Sequence, residues 1–287
     1  MTTARPATPP PTRTAGRPAR FGLRSALVLA GVSAVGIVAF FWPFLAQPDS
    51  AILGHSADAP WVFAVVLPLL LALALAELSE GGLDSRGIAL LGVLAAVAAI
   101  LRPFGAGTVG FEPIWVVIIL GGRALGPGFG FLLGNVSLFA SAMLTGGVGP
   151  WLPFQMIAAG WVGFGAGLLP TIRQRWEPLL VAAYGAVVAV MYGFLLNLWF
   201  WPWLAPANSA IAFVPGDAVA DNIQRWFLFN FATSLGYDLP RGVVVALLLA
   251  ITARPVLGAL RRATRKASFD QPIAFLEPST APAPRQR

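Results

Sequence analysis

The chain contains no cysteine among its 287 residues and only one histidine. A disulfide framework, a thiolate metal site and a cysteine nucleophile are therefore excluded. No HExxH or GxSxG motif occurs, and no G-x-x-x-x-G-K-[ST] loop is present to bind ATP. We therefore expect no metal, no cofactor and no catalytic residue, and any ATP-driven process requires a partner protein.

Charged residues are also scarce, at 11% of the chain against about 25% in soluble domains. Hydrophobic residues make up 57%. Three long stretches carry no charge at all, namely Ser25–Pro48, Ala124–Ile172 and Pro178–Gly216. An uncharged apolar run of about 18 residues is already long enough to cross a bilayer as a helix. The sequence therefore predicts an all-α integral membrane protein.

The apolar segments predict about eight transmembrane helices. The expected spans are 22–46, 61–77, 87–102, 112–125, 128–145, 154–171, 178–202 and 225–256. The fourth is short, because ten apolar residues after Glu112 do not cross about 30 Å at 1.5 Å per residue. It must extend through Gly121–Leu125, including Arg123, or form a broken helix. Gly126 and Pro127 are expected to break the helix between the fourth and fifth spans. The two ends, 1–21 and 267–287, are predicted to be disordered cytoplasmic tails.

Basic residues are distributed unevenly about these spans. Sixteen of the 19 Lys and Arg residues fall in the two tails or near the connections that follow even-numbered spans. Only Arg102 and Arg225 fall on the opposite side. Because basic residues favour the cytoplasmic side, we expect both termini in the cytoplasm. The net charge of +7 reflects these flanks and does not indicate a nucleic-acid partner.

Polar residues inside the apolar segments are candidates to line a substrate cavity. Asp238 and Arg241 in LGYDLPRG are three residues apart and could pair on one helix face, although a proline lies between them. Charges at membrane depth are costly, so they face a cavity, the bundle interior or each other. The further polar candidates are Arg102, Glu112, Asn135, Asn197 and Asn230.

The stretch TGGVGPWLPFQM, residues 145–156, is predicted to join the fifth and sixth spans outside the membrane. Its two prolines restrict the backbone, so Trp151 and Phe154 are presented with little mobility. Gln155 could hydrogen-bond a neutral polar group. Trp151 could contact a ligand or, as is common for tryptophan, anchor the chain at the membrane boundary. The sequence leaves both interpretations open.

Residues 86–266 resemble the substrate-binding S component of energy-coupling factor (ECF) vitamin transporters. The resemblance rests on the alanine face AAVAA, the stretches GRALGPGFGFLLGN and TGGVGPWLPFQMIAAGWVGFGAGLLP, and the closing GYDLPRG with its basic end. It implies a six-helix substrate-binding membrane core at 86–266. An N-terminal two-helix addition, 22–85, precedes this core, and no motif accounts for it.

The resemblance also implies the partners and the mechanism. In the family, the S component captures a vitamin from outside, associates with a membrane coupling subunit and two ATPases, and topples to release its ligand inside. The family's AxxxA face contacts the coupling subunit, and this role falls on Ala95 and Ala99. Small residues four apart lie on one helix face and let another helix approach closely.

The implied substrate is a vitamin or a vitamin precursor. We expect a cobalamin-type corrinoid first and a thiamine-related or other vitamin next, bound in the plasma membrane of a prokaryote. Aromatic side chains could stack on a flat ligand. Those candidates are Trp115, Trp151, Phe154 and Trp161, while Glu112, Asn135, Gln155, Asn197, Asp238 and Arg241 are the polar candidates.

Two other functions remain open. An integral-membrane enzyme acting on lipid would use Asp238 and Arg241, but the chain has neither paired acids nor a metal cluster to support that chemistry. A non-transporting scaffold would use its polar residues only to hold helices together. In that case, replacing Trp151 and Gln155 would leave every ligand affinity unchanged.

Overall fold

The fold is taken from a computed structural model that describes residues 22–45, 55–79, 83, 85–105, 109–206 and 208–266. Within the helices, the side chains of 55–64, 78–79, 86 and 265–266 are not described. The predicted tails at 1–21 and 267–287 lie outside the described residues. The described part of the chain forms helices and their connections, without a β-strand, as the composition predicts.

The helices follow the predicted spans closely. They are α1 (Leu23–Phe40), α2 (Trp42–Leu45), α3 (His55–Ser79), α4 (Ser85–Leu101), α5 (Ile114–Leu125), α6 (Pro127–Thr145), α7 (Leu152–Leu168), α8 (Glu177–Leu204), α9 (Val219–Phe229) and α10 (Leu235–Lys266). A 3-10 turn at Arg102–Gly105 follows α4, and a π-helical turn at Asn230–Ser234 joins α9 to α10. Of the described helices, five segments are long and apolar enough to cross a membrane, so a total of eight spans stays a prediction.

The predicted short span is helix α5. It runs unbroken through Leu125 and includes Arg123, which is the first of the two alternatives. Its 12 residues reach about 18 Å. Gly126, with a φ of 101°, ends the helix, and Pro127 starts α6 at once, so the predicted break at this Gly–Pro pair is confirmed.

From α4 to α9, successive helices alternate in direction between two ends of the bundle, and α10 continues the direction of α9. The upper end carries the α4–α5, α6–α7 and α8–α9 connections, and the lower end carries the α5–α6 and α7–α8 connections. Helix α6 packs along α7, and α8 packs along α10. Helix α5 contacts α6, α7 and α10, while α4 packs on α6 and α5. Helix α5 therefore joins the two helix pairs.

Glycines bring α5, α6 and α7 into backbone contact. A Cβ on Gly163 would overlap the carbonyl oxygen of Gly130, and one on Gly122 would overlap the carbonyl oxygen of Gly163. A Cβ on Gly134 would overlap the carbonyl oxygen of Ala159. Small residues allow such close helix approach in membranes. The glycine-rich stretch at 121–135 is therefore a packing interface.

A buried ion-pair network joins the lower ends of α5, α8 and α10. Glu177 Oε1 lies 2.9 Å from Arg123 Nε and 2.6 Å from Arg261 Nη2. Arg123 also donates to the carbonyl oxygens of Leu169 and Pro170, at 2.5 and 3.0 Å, just beyond the end of α7. A charge at this depth is tolerated because it is paired and hydrogen-bonded.

Candidate functional site

A buried ion pair lies in the upper part of α10. Arg241 Nη2 lies 2.5 Å from Asp238 Oδ1, so the pairing predicted from their spacing is present, and the helix continues through Pro240. Arg241 Nε donates to the carbonyl oxygen of Ala189 on α8, at 3.0 Å. Only 6% and 4% of the Arg241 and Asp238 side chains are exposed. The pair therefore faces α8 inside the bundle.

Glu112 brings a second carboxylate to this pair. Its Oε1 lies 3.4 Å from Arg241 Nη1 and accepts a hydrogen bond from the Tyr237 hydroxyl, at 3.1 Å. Its Oε2 accepts a 2.6 Å hydrogen bond from Trp115 Nε1. The structure thus brings four predicted site residues into one cluster. We call Glu112, Trp115, Tyr192, Tyr237, Asp238 and Arg241 the upper polar cluster.

Aromatic rings surround the charged groups of this cluster. Trp115 meets Tyr192 of α8 edge to face, with ring centroids 4.5 Å apart. The guanidinium carbon of Arg241 lies 5.7 Å from the centroid of Tyr192 and 5.5 Å from that of Tyr237. These distances suit cation–π contacts. The rings of Tyr192 and Tyr237 therefore flank the Arg241 guanidinium.

Two glycines let backbone approach the ion pair directly. A Cβ on Gly193 of α8 would overlap both Asp238 Oδ1 and Arg241 Nη2. Gly110, whose φ is 76°, lies against the Pro240–Arg241 backbone, and a Cβ there would sit 2.6 Å from Arg241 N. A side chain at either position would displace the pair. The α4–α5 connection and α8 therefore bound the cluster closely.

One hydrogen-bond acceptor of the upper polar cluster has no donor among the described residues. Asp238 Oδ2 is buried and makes no hydrogen bond within the described part of the chain. Two carboxylates, those of Glu112 and Asp238, contact the single guanidinium of Arg241. A buried acceptor without a donor costs about 1–3 kcal/mol. A bound molecule that donates an N–H or O–H would satisfy it.

Gln155 lies in the first turn of α7, near the upper end of the bundle. Its side-chain oxygen accepts a 2.9 Å hydrogen bond from Arg102 Nη2, in the turn after α4. The Arg102–Gln155 contact therefore joins α4 to α7 at the same end of the bundle.

Asn197 holds the π-helical turn before α10. Its Nδ2 donates to Asn230 Oδ1, at 2.8 Å, and to Ser234 Oγ, at 2.6 Å. Asn197 is four residues after Gly193, and Ser234 is four residues before Asp238, so these contacts lie one helical turn above the ion pair. π-Helical turns are frequent at functional sites. Asn197 thus positions the helix that carries the cluster.

Two predicted aromatic candidates face the N-terminal helices instead. Phe154 stacks on Trp199 with centroids 4.4 Å apart, and Phe40 of α1 meets it edge to face at 5.2 Å. Trp161 Nε1 donates to Ser33 Oγ of α1, at 2.9 Å. In this structure both rings are covered by the N-terminal addition.

Asn135 and Trp151 occupy separate environments. Asn135 is buried between α6 and α7, donates to the carbonyl oxygen of Phe131 at 2.8 Å, and abuts Gly160. Trp151 is 41% exposed, and its Nε1 donates to the carbonyl oxygen of Gly147 in its own connection, at 3.1 Å. An exposed ring held this way fits interfacial anchoring, one of the two interpretations left open.

Ala95 and Ala99 lie on the inner face of α4. Their exposed fractions are 2% and 4%, on the side that packs against α6 and α5. The opposite face is exposed and includes Gly92 and Ala96. A Cβ on Gly92 would meet nothing within 4 Å. A small-xxx-small pair therefore lies open on α4, three residues before the predicted pair.

Four members or neighbours of the upper polar cluster were not identified from the sequence: Gly110, Tyr192, Gly193 and Tyr237. Tyr237 had a signal, since it adjoins Asp238 and the chain has only three tyrosines. Tyr192 and Gly193 had none, because their proximity depends on how α8 and α10 are aligned. Among the described residues, no group of three or more His, Cys, Asp or Glu side chains could hold a metal ion.

A known protein family matches the chain from the start of α4 into α10. Residues 86–257, more than half of the chain, match the family described as "ECF transporter, substrate-specific component". No curated protein and no solved structure matches the chain. The matched residues contain the whole upper polar cluster and exclude α1, α2 and α3.

Proposed function

The chain belongs to the family of ECF transporter substrate-specific components, and on that premise we propose that it captures a vitamin or vitamin precursor outside the cell. The ligand is then released inside. The apolar helices indicate a multi-pass membrane protein, which we assign to the plasma membrane of a prokaryote with both termini in the cytoplasm. The main support is the buried upper polar cluster, which keeps an acceptor without a donor.

The proposed substrate site is this cluster. Trp115, Tyr192 and Tyr237 supply ring faces, and Asp238 Oδ2 supplies an acceptor for an N–H group. Cobalamin-type corrinoids carry amide N–H groups, and thiamine-related molecules carry an amino group, so both classes suit that acceptor. We keep the corrinoid first and thiamine-related or other vitamins next. Gln155 and Arg102 hydrogen-bond to each other at the same end of the bundle.

The proposed partners are a transmembrane coupling subunit and two ATP-binding subunits, since the chain has no ATP-binding motif. The resemblance assigns the coupling contact to Ala95 and Ala99. Both are buried against neighbouring helices, so that assignment requires α4 to turn or to separate from α6. Gly92 and Ala96 have the same spacing on an open face, and we propose that this face binds the coupling subunit.

Reconstituted uptake tests the proposed function. The purified chain is expected to release a vitamin-class molecule on denaturation, identified by mass spectrometry. Proteoliposomes should take up that molecule only when the coupling subunit, both ATPases and ATP are present. Lipid turnover by the chain alone would favour the enzyme alternative. A chain that releases no such molecule and supports no uptake would contradict the proposed function.

The coupling face is tested by substitution of Ala96 with tryptophan. We expect uptake to fall at least tenfold with ligand retention unchanged, because the bulky ring keeps a partner helix away from an exposed face. Ala183→Trp, on an exposed position of α8, is the matched control and should keep full uptake. Ala95→Trp should instead reduce the yield of folded protein. Normal uptake by Ala96→Trp would rule out this face.

Orientation is testable with single cysteines, because the native chain has none. Ala210→Cys, exposed in the α8–α9 connection, should react with a membrane-impermeant maleimide in intact cells. Gln174→Cys, exposed in the α7–α8 connection, should react only after lysis. The reverse pattern of labelling would place the upper polar cluster towards the cytoplasm and contradict uptake from outside.

A further inference from the structure

The first two helices of the N-terminal addition, α1 and α2, contribute to a set of aromatic side chains at the upper end of the bundle. Its members come from α1, α2, α7, α8 and the α8–α9 connection, and we call them the upper aromatic cluster. They are Phe40, Trp42, Phe44, Phe154, Trp199, Trp201, Trp203 and Phe213. The cluster lies at the end of α8 that also carries Asn197 and Tyr192.

Trp42 links three parts of this cluster. Its Nε1 donates to the carbonyl oxygen of Trp199, at 3.1 Å, and its ring stacks on Trp203 with centroids 5.6 Å apart. Its ring also meets Phe213 of the α8–α9 connection edge to face, at 6.1 Å. Trp42 is only 7% exposed. One side chain of α2 therefore contacts both the end of α8 and the chain that follows it.

The α8–α9 connection is held from two sides. On one side, Trp201 Nε1 donates to the carbonyl oxygen of Ile211, at 2.7 Å, and its ring meets Phe213 at 5.3 Å. On the other side, Asn222 of α9 accepts from Val214 N, at 3.1 Å, and donates to Val214 O, at 2.8 Å. The Trp201 hydrogen bond and the aromatic contacts therefore together hold the connection on α8.

The last turn of α8 depends on such side contacts. Pro202 lies inside the helix and has no N–H to donate, so one backbone hydrogen bond of this turn is missing. Trp199 and Trp201 lie just before Pro202, and both form hydrogen bonds with residues outside α8. The carbonyl oxygen of Trp199 accepts one from Trp42, and Trp201 Nε1 donates one to the carbonyl oxygen of Ile211. A neighbouring element that packs on the turn therefore decides how firmly it is held.

Helix α1 provides a firm base for Trp42. A Cβ on Gly36 would lie 2.9 Å from Ile157 Cγ2 of α7, so the two helices are in close contact. Ser33 accepts the hydrogen bond of Trp161, and Phe40 packs on Phe154. These contacts align α1 with α7 over two helical turns. Trp42 follows two residues after Phe40, so the packing of α1 on α7 fixes the position of Trp42.

From these contacts we propose that the N-terminal addition is a clamp, in which Trp42 is the positioning residue for the α8–α9 connection. The clamp keeps residues 208–218 closed on the end of α8. Its relevance to substrate capture rests on the proposed function, because the connection lies above the proposed substrate site. The clamp contacts themselves belong to this chain and do not depend on a transport partner.

Hydrogen–deuterium exchange of the full purified chain, without added ligand, tests the clamp. In Trp42→Leu, backbone amides of 208–218 are expected to exchange at least tenfold faster, while those of 181–193 in α8 keep their rates. Trp176→Leu is the matched control, because Trp176 is 50% exposed at the lower end. Unchanged exchange in 208–218, or equal acceleration in both segments, would overturn the clamp.

Two further variants keep this test decisive. If Trp42→Leu does not fold, Phe213→Leu removes the connection's own ring from the cluster and should accelerate exchange in 208–218 alone. Trp42→Phe keeps a ring but loses the Nε1 hydrogen bond to Trp199, so an intermediate rate is expected. Because no substrate or partner is present, a clamp that holds while uptake fails would count against the proposed function only.

Discussion

Replacing Gly163 with valine is expected to abolish accumulation of folded protein. The carbonyl oxygen of Gly130 occupies the space that a Cβ on Gly163 would take, and backbone cannot move aside as a side chain can. Adding a side chain to a well-packed core usually destabilises a protein by about 1–3 kcal/mol. We expect a larger loss of stability here because α5, α6 and α7 meet at this point. Gel filtration of a fluorescent fusion in detergent measures the folded fraction.

Gly31→Val is the matched control for this substitution. Gly31 also lies inside a helix, but a Cβ there would meet nothing within 4 Å. The control should therefore elute as the native chain does and melt within about 5 °C of it, since a small surface change shifts stability little. If Gly163→Val eluted and melted as the native chain does, the backbones of α6 and α7 could not lie as close together as the structure places them.

The second large effect is expected from Arg241→Gln. Two carboxylates, Glu112 and Asp238, would then lie together without a cation, and removing one partner of a buried pair costs about 3–5 kcal/mol. A melting experiment in detergent should show the loss. Arg225→Gln is the control, because Arg225 and Asp217 form a partly exposed pair, 2.7 Å apart, whose loss should shift the melting temperature far less.

A double variant separates stability from substrate binding at this site. Adding Asp238→Asn to Arg241→Gln removes one of the uncompensated carboxylates, so much of the lost stability should return. Ligand retention should not return, because the charged acceptor and the guanidinium are both gone. A double variant that melts normally and still retains the ligand would show that the ion pair only holds α10 in place.

The charge pair of Asp217 and Arg225 is partly exposed, unlike the buried pair of Asp238 and Arg241. The hydrogen bond from Arg225 lowers the pKa of Asp217 below its ordinary value. Asp217 therefore stays ionised until the solution is more acidic than a free aspartate requires. The pair contributes while Asp217 is ionised and is lost as the pH falls through that lowered pKa. Neutral conditions leave it intact.

Local patterns in the sequence predicted the local features of this fold. Uncharged apolar runs predicted helices, and a helix lies at each predicted span. Gly126 and Pro127 predicted the break between α5 and α6, because one residue tolerates a positive φ and the other cannot continue a helix. The three-residue spacing of Asp238 and Arg241 predicted their ion pair.

The faces that helices turn towards one another could not be predicted in the same way. Lipid and protein interior are equally apolar, so hydrophobic periodicity does not mark the inner face of a membrane helix. Ala95 is consequently buried while Ala96, its neighbour, is exposed, although both belong to one alanine-rich stretch. Phe154 and Trp161 turn towards α1 for the same reason.

The sequence by itself determined that the chain is helical and apolar enough for a membrane. It also determined the position of a helix break and the family that the chain resembles. The tertiary structure decided that Glu112, Trp115, Asp238 and Arg241 share one cluster, and that Tyr192 and Gly193 complete it. It also gave the N-terminal helices a contact with the α8–α9 connection through Trp42. Such contacts join residues far apart in the chain, and their geometry depends on helix rotation and alignment, which no local pattern encodes.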